Sequence, residues 1–157
     1  MKAAAALAAL VALALSAAVG TAHAATPTKR EFIRKGDALC GAVARELVPI
    51  RQRAEAAKSL PQSKQWAAAA TIWTDQIAIQ QRFNTKFRAI GVPAGDASAR
   101  RLVSSLDRGV VLARSVRDGF ARRDVNALAS ALPAYLQFTL ALNRRIHTYG
   151  FRVCGRG

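Results

Sequence analysis

Residues 97–150 read ASARRLVSSLDRGVVLARSVRDGFARRDVNALASALPAYLQFTLALNRRIHTYG, and this stretch decides the fold. In each half, apolar or small residues recur at steps of three and four, which keeps them on one face of an α-helix. The first series is Leu102, Leu106, Gly109, Ala113, Val116 and Phe120, and the second is Val125, Leu128, Leu132, Tyr135, Thr139, Leu142, Ile146 and Tyr149. Asp96 and Asp124 precede the two predicted helices as N-caps, and Gly150 ends the second. Pro133 lies off the apolar seam and predicts a local kink.

The same periodicity predicts two further helices upstream. The first begins at a Thr28-x-x-Glu31 capping box, in which each side chain bonds the other residue's backbone N–H. Pro49 removes a backbone donor within this helix, so a kink or break is expected close to it. The second lies between a break at Pro61 and a Gly- and Pro-rich turn over residues 91–95. No segment alternates apolar and polar residues as a strand would, so the sequence predicts an all-α protein, an up-down-up-down four-helix bundle.

The N-terminal segment has the composition of an export signal. Residues 1–24 carry Lys2, an apolar run and the small-x-small pattern Ala22-His23-Ala24, which predicts cleavage before Ala25. A retained membrane anchor is the alternative, but the run is short for a span and mostly alanine. No other stretch is expected to cross a membrane. We therefore expect residues 25–157 to form one helical domain of an exported protein, either periplasmic or secreted.

Two cysteines remain after the export signal, Cys40 and Cys154. An even count in an oxidising compartment, without metal-binding spacing, predicts one Cys40–Cys154 disulfide. The bundle topology supports this pairing independently, because the start of the first helix and the end of the fourth lie at the same end. Two free buried thiols are the alternative.

Three motifs resemble a group of small exported bacterial proteins of the actinobacterial type. They are Phe32-Ile33-x-x-Gly36-Asp37-Ala38-Leu39-Cys40, the turn Val92-Pro93-x-Gly95-Asp96, and the ending Tyr149-Gly150-Phe151-x-x-Cys154-Gly155. The resemblance covers nearly all of residues 25–157. It implies an all-helical exported domain with one disulfide, and it brings no activity, ligand or catalytic residue with it.

The residues that common enzymes and metalloproteins need are missing from this sequence. His147 is the one histidine after the export signal, so Ser–His–Asp catalysis, zinc sites and di-iron sites have too few of their usual side chains. No Cys-x-x-Cys-His haem attachment and no Gly-rich phosphate loop occurs. We expect a protein that is not an enzyme, without catalytic or metal-ligating residues and without a cofactor.

Polar residues interrupt the apolar face of the second predicted helix. Gln76 and Gln80 lie one turn apart among tryptophan, isoleucine and phenylalanine side chains. They could line a small ligand cavity together with Trp66 and Trp73. The alternative is structural: a hydrogen-bonded pair that sets helix register, or residues at the bundle edge that reach water.

The strongest functional indication is charge. The chain has 24 Lys and Arg against 9 Asp and Glu, a formal net charge of +15. Candidate contacts for an anionic surface are Arg100, Arg101, Arg108, Arg114, Arg117, Arg122 and Arg123. Anionic lipid or a cell-wall polyanion would suit such a surface, while the export signal and the lack of a recognition motif argue against specific nucleic-acid binding. A bias toward arginine that serves only solubility is the competing interpretation.

Two functional hypotheses follow from the sequence. The first is a non-enzymatic protein that associates with anionic envelope or extracellular surfaces through distributed arginines. The alternative is a carrier that holds a small apolar ligand in the bundle core.

Overall fold

A computed structural model describes residues 26–155, which contain five helical segments and no strand. The predicted export signal lies outside the described residues and stays a prediction. The segments are α1 (Lys29–Glu46), α2 (Val48–Ala57), α3 (Gln62–Ala89), α4 (Ala97–Arg122) and α5 (Val125–Tyr149). Because α1 and α2 together correspond to the first predicted helix, the protein is the expected all-α bundle of four helices.

The first helix breaks at Leu47, close to the position that the sequence indicates. The Leu47 N–H still donates to the Val43 carbonyl at 2.9 Å, and Arg51 N donates to the Leu47 carbonyl at 3.0 Å. Pro49 falls in the first turn of α2. Backbone N–H groups in a first turn have no acceptor within the helix, so proline loses no hydrogen bond there. The expected break is confirmed. Pro133, in contrast, lies inside α5, which continues through it as one helix.

Side-chain caps fix where the helices begin. Thr28 and Glu31 form both bonds of the predicted capping box at the start of α1. Asp96 accepts from Ala99 N at the start of α4, and Asp124 accepts from Ala127 N at the start of α5, each at 2.9 Å. Only two residues join α4 to α5, so the two helices are antiparallel neighbours.

An aromatic cluster forms the core at one end of the bundle. Phe32 of α1 is fully buried. Its ring lies 5.3 Å from Phe87 of α3, 5.7 Å from Phe151 and 5.9 Å from Tyr149 of α5, with edge-on geometry in each case. Such edge-to-face pairs add about 0.5–1.5 kcal/mol each beyond the apolar area they bury. Phe32, near the start of α1, therefore joins α1 to α3 and to the end of α5.

The C-terminal segment, residues 150–155, docks on α1. The Asp37 carboxylate accepts hydrogen bonds from the backbone N–H groups of Arg152, Val153 and Cys154 at 2.8–3.2 Å. The predicted disulfide joins Cys40 to Cys154 across 114 residues of sequence. A hydrogen-bonded carboxylate and a covalent bond thus hold the same short segment against the same helix.

Helix α5 differs from the other helices in its exposure. It is long and apolar enough to cross a membrane by length and composition, and none of its most apolar window is fully buried. This finding runs contrary to the expectation that no stretch after the export signal would qualify. The prediction that the exported protein has no membrane-spanning segment stays a prediction.

Replacement of Gly36 by alanine should destabilise the protein. A Cβ at this position would lie 2.5 Å from Phe151 Cε1 and 2.8 Å from Phe87 Cε2. Overpacking of this kind costs about 1–3 kcal/mol, more than the helix gains when alanine replaces glycine. We expect a lower free energy of unfolding in urea. Gly41→Ala on the same helix is the control: its Cβ would meet nothing closer than 3.9 Å, so the protein should be unchanged or more stable. Equal effects at both sites would contradict the packing argument.

Loss of the disulfide should lower stability without changing the helical content at low temperature. The chain-entropy model gives about 4–5 kcal/mol for a loop of this length. We expect Cys40→Ala/Cys154→Ala to lower the denaturant midpoint by a corresponding amount, measured by circular dichroism. Wild-type protein in reductant provides the comparison, and an unchanged midpoint in both would contradict a structural role for this bond.

Candidate anion-binding site

A pocket of about 600 Å³ opens at the end of the bundle where α1 and α4 begin and α5 ends. Four cationic side chains from three helices line it: Lys29, Arg101, Arg144 and Arg145. Ser98 and Thr148 also line it. The N-termini of α1 and α4 and the C-terminus of α5 meet here, so helix dipoles of both signs act on the pocket and its positive charge comes from the four cationic side chains. The pocket therefore has the donors and the charge that a phosphate, sulfate or carboxylate group requires.

The one carboxylate in the pocket is already engaged. Asp96 Oδ2 accepts from the Tyr149 hydroxyl at 2.6 Å, and Oδ1 caps α4 at Ala99 N. The hydrogen bond from Tyr149, followed by that from Ala99, holds the pKa of Asp96 below its ordinary value of 3.8. Burial and the neighbouring carboxylate raise the pKa of Tyr149, which therefore stays protonated and continues to donate. This bond joins the end of α5 to the start of α4 and forms the floor of the pocket.

Two contacts orient the cations around this floor. Lys29 Nζ lies 4.6 Å from the centre of the Tyr149 ring, a cation–π distance. Arg101 Nη2 donates to Ser98 Oγ at 3.3 Å. Arg144 and Arg145 are exposed and form no ion pair within the described residues. The pocket accordingly has four cations facing one carboxylate that is already hydrogen-bonded.

The acidic residues elsewhere are engaged as well. Five of them form ion pairs, and the pairs are Arg53–Asp75, Lys58–Glu55, Arg82–Glu46, Arg88–Asp107 and Arg117–Asp118. Glu31 and Asp124 cap helices, and Asp37 binds the C-terminal segment. Since the acids are committed to structure, the excess of cations remains available for an external anion.

The structure does not bring the predicted arginine set together in one site. Its members lie along α4 and the turn after it, and at 1.5 Å per residue the set extends over about 35 Å. Only Arg101 lines the pocket. Arg117 is paired with Asp118, and the Arg108 guanidinium lies 6.0 Å from the Phe138 ring. Arg100, Arg114, Arg122 and Arg123 are exposed.

Sequence reasoning missed three of the four pocket cations: Lys29, Arg144 and Arg145. Their signal was present in the topology, because an up-down bundle places the start of the first helix, the start of the third and the end of the fourth at one end. Grouping the cationic residues by the end of the bundle at which they lie, rather than by helix, predicts this cluster of Lys29, Arg101, Arg144 and Arg145.

The four residues predicted to line a core ligand site are divided between two environments. Trp66 and Trp73 line an open, mainly apolar pocket of about 350 Å³ between α2, α3 and the end of α4. Gln76 and Gln80 are not part of it. Gln76 Nε2 donates to the Tyr135 hydroxyl at 3.1 Å, which joins α3 to α5. This contact is the structural hydrogen bond that formed the alternative interpretation of Gln76.

Gln80 lies deeper, at the contact between α3 and α4. Its Nε2 would be 2.7 Å from a Cβ built on Gly109, so this glycine allows the two helices to approach. One turn further along α3, Asn84 is the most buried polar residue described, with 2 % exposure. Gln80 Oε1 has no hydrogen-bond partner within the described residues. After the stronger hydrogen bond from Arg88, the Asn84 side chain helps to hold the pKa of the Asp107 carboxyl below its ordinary value. Sequence reasoning did not single out Asn84.

The lining of the pocket suits the binding of an anion. The pocket contains neither a histidine nor a cysteine. Within residues 26–155 no group of three or more histidine, cysteine, aspartate or glutamate side chains could hold a metal ion. The arrangement can hold an anion by charge-assisted hydrogen bonds from guanidinium and ammonium groups.

The Asp96–Tyr149 bond should be visible in the pH dependence of stability. Because the pKa of Asp96 is depressed in the folded protein, its contribution is complete at neutral pH and is lost as the pH falls below about 4. Tyr149→Phe removes the main cause of the depression, so the decrease in Tm from neutral to acidic pH should be smaller than in the wild type. Tyr135→Phe is the control, since its hydroxyl bonds Gln76 and no carboxylate. Identical acid profiles for Tyr149→Phe and the wild type would contradict this assignment.

Comparison with known proteins does not identify the site, so its description rests on its geometry. The sequence matches no family model, and neither a curated protein nor a solved structure is significantly similar to it. The resemblance to small exported actinobacterial-type proteins therefore stays a prediction.

Proposed function

We propose that the protein is a non-enzymatic, exported binding protein for anionic surfaces, and that the pocket between α1, α4 and α5 is its main contact. The observation that carries the proposal is the convergence of Lys29, Arg101, Arg144 and Arg145 around a carboxylate that is already hydrogen-bonded. The ligand chemistry is a phosphate or another anionic group repeated over a surface, as in lipid headgroups or envelope polyanions.

Two features support this function over binding by evenly distributed arginines. The pocket collects cations from three helices, whereas Arg101 is the one member of the predicted arginine set that lines it. The Asp96–Tyr149 bond holds the backbone ends that present these cations, so the site is organised before an anion arrives.

A carrier of small apolar molecules is the second candidate. It rests on the open pocket beside Trp66 and Trp73. That pocket lacks Gln76, whose amide is used in the contact with Tyr135, so the polar groups first expected to orient a ligand are not there. The anion-binding function has the better geometric support.

Binding should weaken steeply with salt and depend on two pocket arginines. With four cation contacts, affinity for heparin should fall roughly 100-fold between about 50 and 200 mM salt. Arg144→Gln/Arg145→Gln should remove about half of the slope of log affinity against log salt. The measurement is a salt titration with heparin and with phosphatidylglycerol vesicles, during which tryptophan emission is also recorded as a test for occupation of the Trp66–Trp73 pocket.

The control removes the same charge at the opposite end of the bundle. Arg51 and Lys64 lie on α2 and at the start of α3, and neither forms an ion pair within the described residues. Arg51→Gln/Lys64→Gln should leave the salt slope close to that of the wild type. Equal losses in the two double variants would contradict the pocket and favour a distributed surface. Binding that does not weaken with salt would contradict the function itself.

A further inference from the structure

The outer face of α5 is an apolar surface without a partner in the structure. Five residues form it at steps of four, four, three and four, so they lie along one side of the helix. They are Val125, Ala129, Pro133, Leu136 and Leu140, and we call them the α5 face. Val125, Leu136 and Leu140 are exposed to 64 %, 51 % and 61 % respectively. These are large apolar side chains left in water at regular intervals.

Charge is arranged around this face in a specific way. Residues 125–143 of α5 contain no charged side chain. Arg122 and Arg123 precede Asp124, whose carboxylate caps α5, and Arg123 adopts a left-handed conformation that reverses the chain between α4 and α5. Arg144 and Arg145 follow the uncharged part, and Arg144 lies one turn beyond Leu140 on the adjoining side of the helix. The α5 face, about 22 Å long, therefore has cations beyond both of its ends.

This charge pattern selects among possible occupants. A second copy of the chain packed on the same face would bring more arginines against the first set, and Asp124, the acid beside the face, already caps α5. A soluble polyanion could pair with the arginines but would leave the leucines in water. The surface of an anionic bilayer supplies both requirements, since negative headgroups lie directly above an apolar layer.

We propose that α5 lies in the plane of an anionic lipid bilayer, with the α5 face inserted among the upper acyl chains and the flanking arginines at the headgroups. This inference rests on the proposed function and names its partner as a lipid membrane. The pocket cation Arg144, one turn beyond Leu140, then lies at the depth of the lipid phosphates. The anion-binding pocket is thereby placed against its ligand.

The bundle contacts of α5 favour this orientation over a membrane-spanning one. The opposite side of α5 packs on α4, and Tyr149 at its end is buried in the aromatic cluster around Phe32. The disulfide holds the following segment to α1. Spanning would require these contacts to be broken, whereas insertion of the outer face leaves each of them in place.

The test separates lipid insertion from binding to charge. Leu136→Gln/Leu140→Gln removes the two most prominent leucines without changing charge. We expect this variant to bind phosphatidylglycerol vesicles about 10- to 100-fold more weakly than the wild type and to bind heparin equally well. It should also lose the rise in surface pressure that the wild type causes when injected beneath a phosphatidylglycerol monolayer.

The same assays provide the control and the results that would contradict insertion of the α5 face. Val48→Gln/Leu60→Gln replaces two other exposed apolar residues, on α2 and in the turn before α3, and should behave as the wild type. Wild-type binding to heparin and vesicles without a rise in surface pressure would overturn insertion and leave the proposed function standing. Failure to bind heparin and vesicles alike would overturn the proposed function. A wild-type dimer that Leu136→Gln/Leu140→Gln dissociates, with vesicle binding unchanged, would make the α5 face a contact between copies.

Discussion

Docking of the C-terminal segment on α1 closes the bundle between its first and last helices. The backbones of α1 and α5 do not come within 8 Å of each other in Cα–Cα distance, so side chains and the segment after Gly150 provide the contact between them. Phe151 fills the space left by Gly36, and Asp37 binds three consecutive N–H groups. The disulfide then makes this closure permanent. Together with the packing of α4 on α5 and the Asp96–Tyr149 bond, this docking holds the end of α5 beside the start of α4, where the cationic pocket lies.

The distribution of charge follows from how the acids are used. Helix caps, five ion pairs and the C-terminal segment engage the acidic side chains, whereas many arginines form no ion pair within residues 26–155. Surface ion pairs of this type stabilise a fold by at most about 1 kcal/mol each. Their larger effect here is to neutralise particular sites, such as Asp107 beside Arg88, and to leave the positive potential concentrated elsewhere. A cationic pocket at one end of the bundle is the result.

Helix α5 connects the fold to the proposed membrane contact through its two faces. Its inner side contributes Tyr135 to a hydrogen bond with α3 and Tyr149 to the aromatic core. No contact within the described residues covers the leucines on its outer side. The same helix thus holds the bundle together and presents an apolar surface between two arginine pairs. In the proposed orientation the pocket and the apolar face meet one bilayer surface at the same time.

The amino-acid sequence predicts the helices, the caps of α1, α4 and α5, the break near Pro49, the Cys40–Cys154 bond and the bundle class. Each of these depends on local spacing or on a pairing with a single solution. The net charge of the sequence also led to the expectation of an anionic partner, which stays a prediction. It did not determine which cations converge, since Lys29, Arg101, Arg144 and Arg145 are distant in the chain and meet only after the helices pack. For the same reason Gln76 and Gln80, neighbours on one helix, have different environments: one faces Tyr135 of α5 and the other faces Gly109 of α4. Periodicity identifies the buried face of a helix, but only tertiary packing decides what each buried or exposed side chain meets.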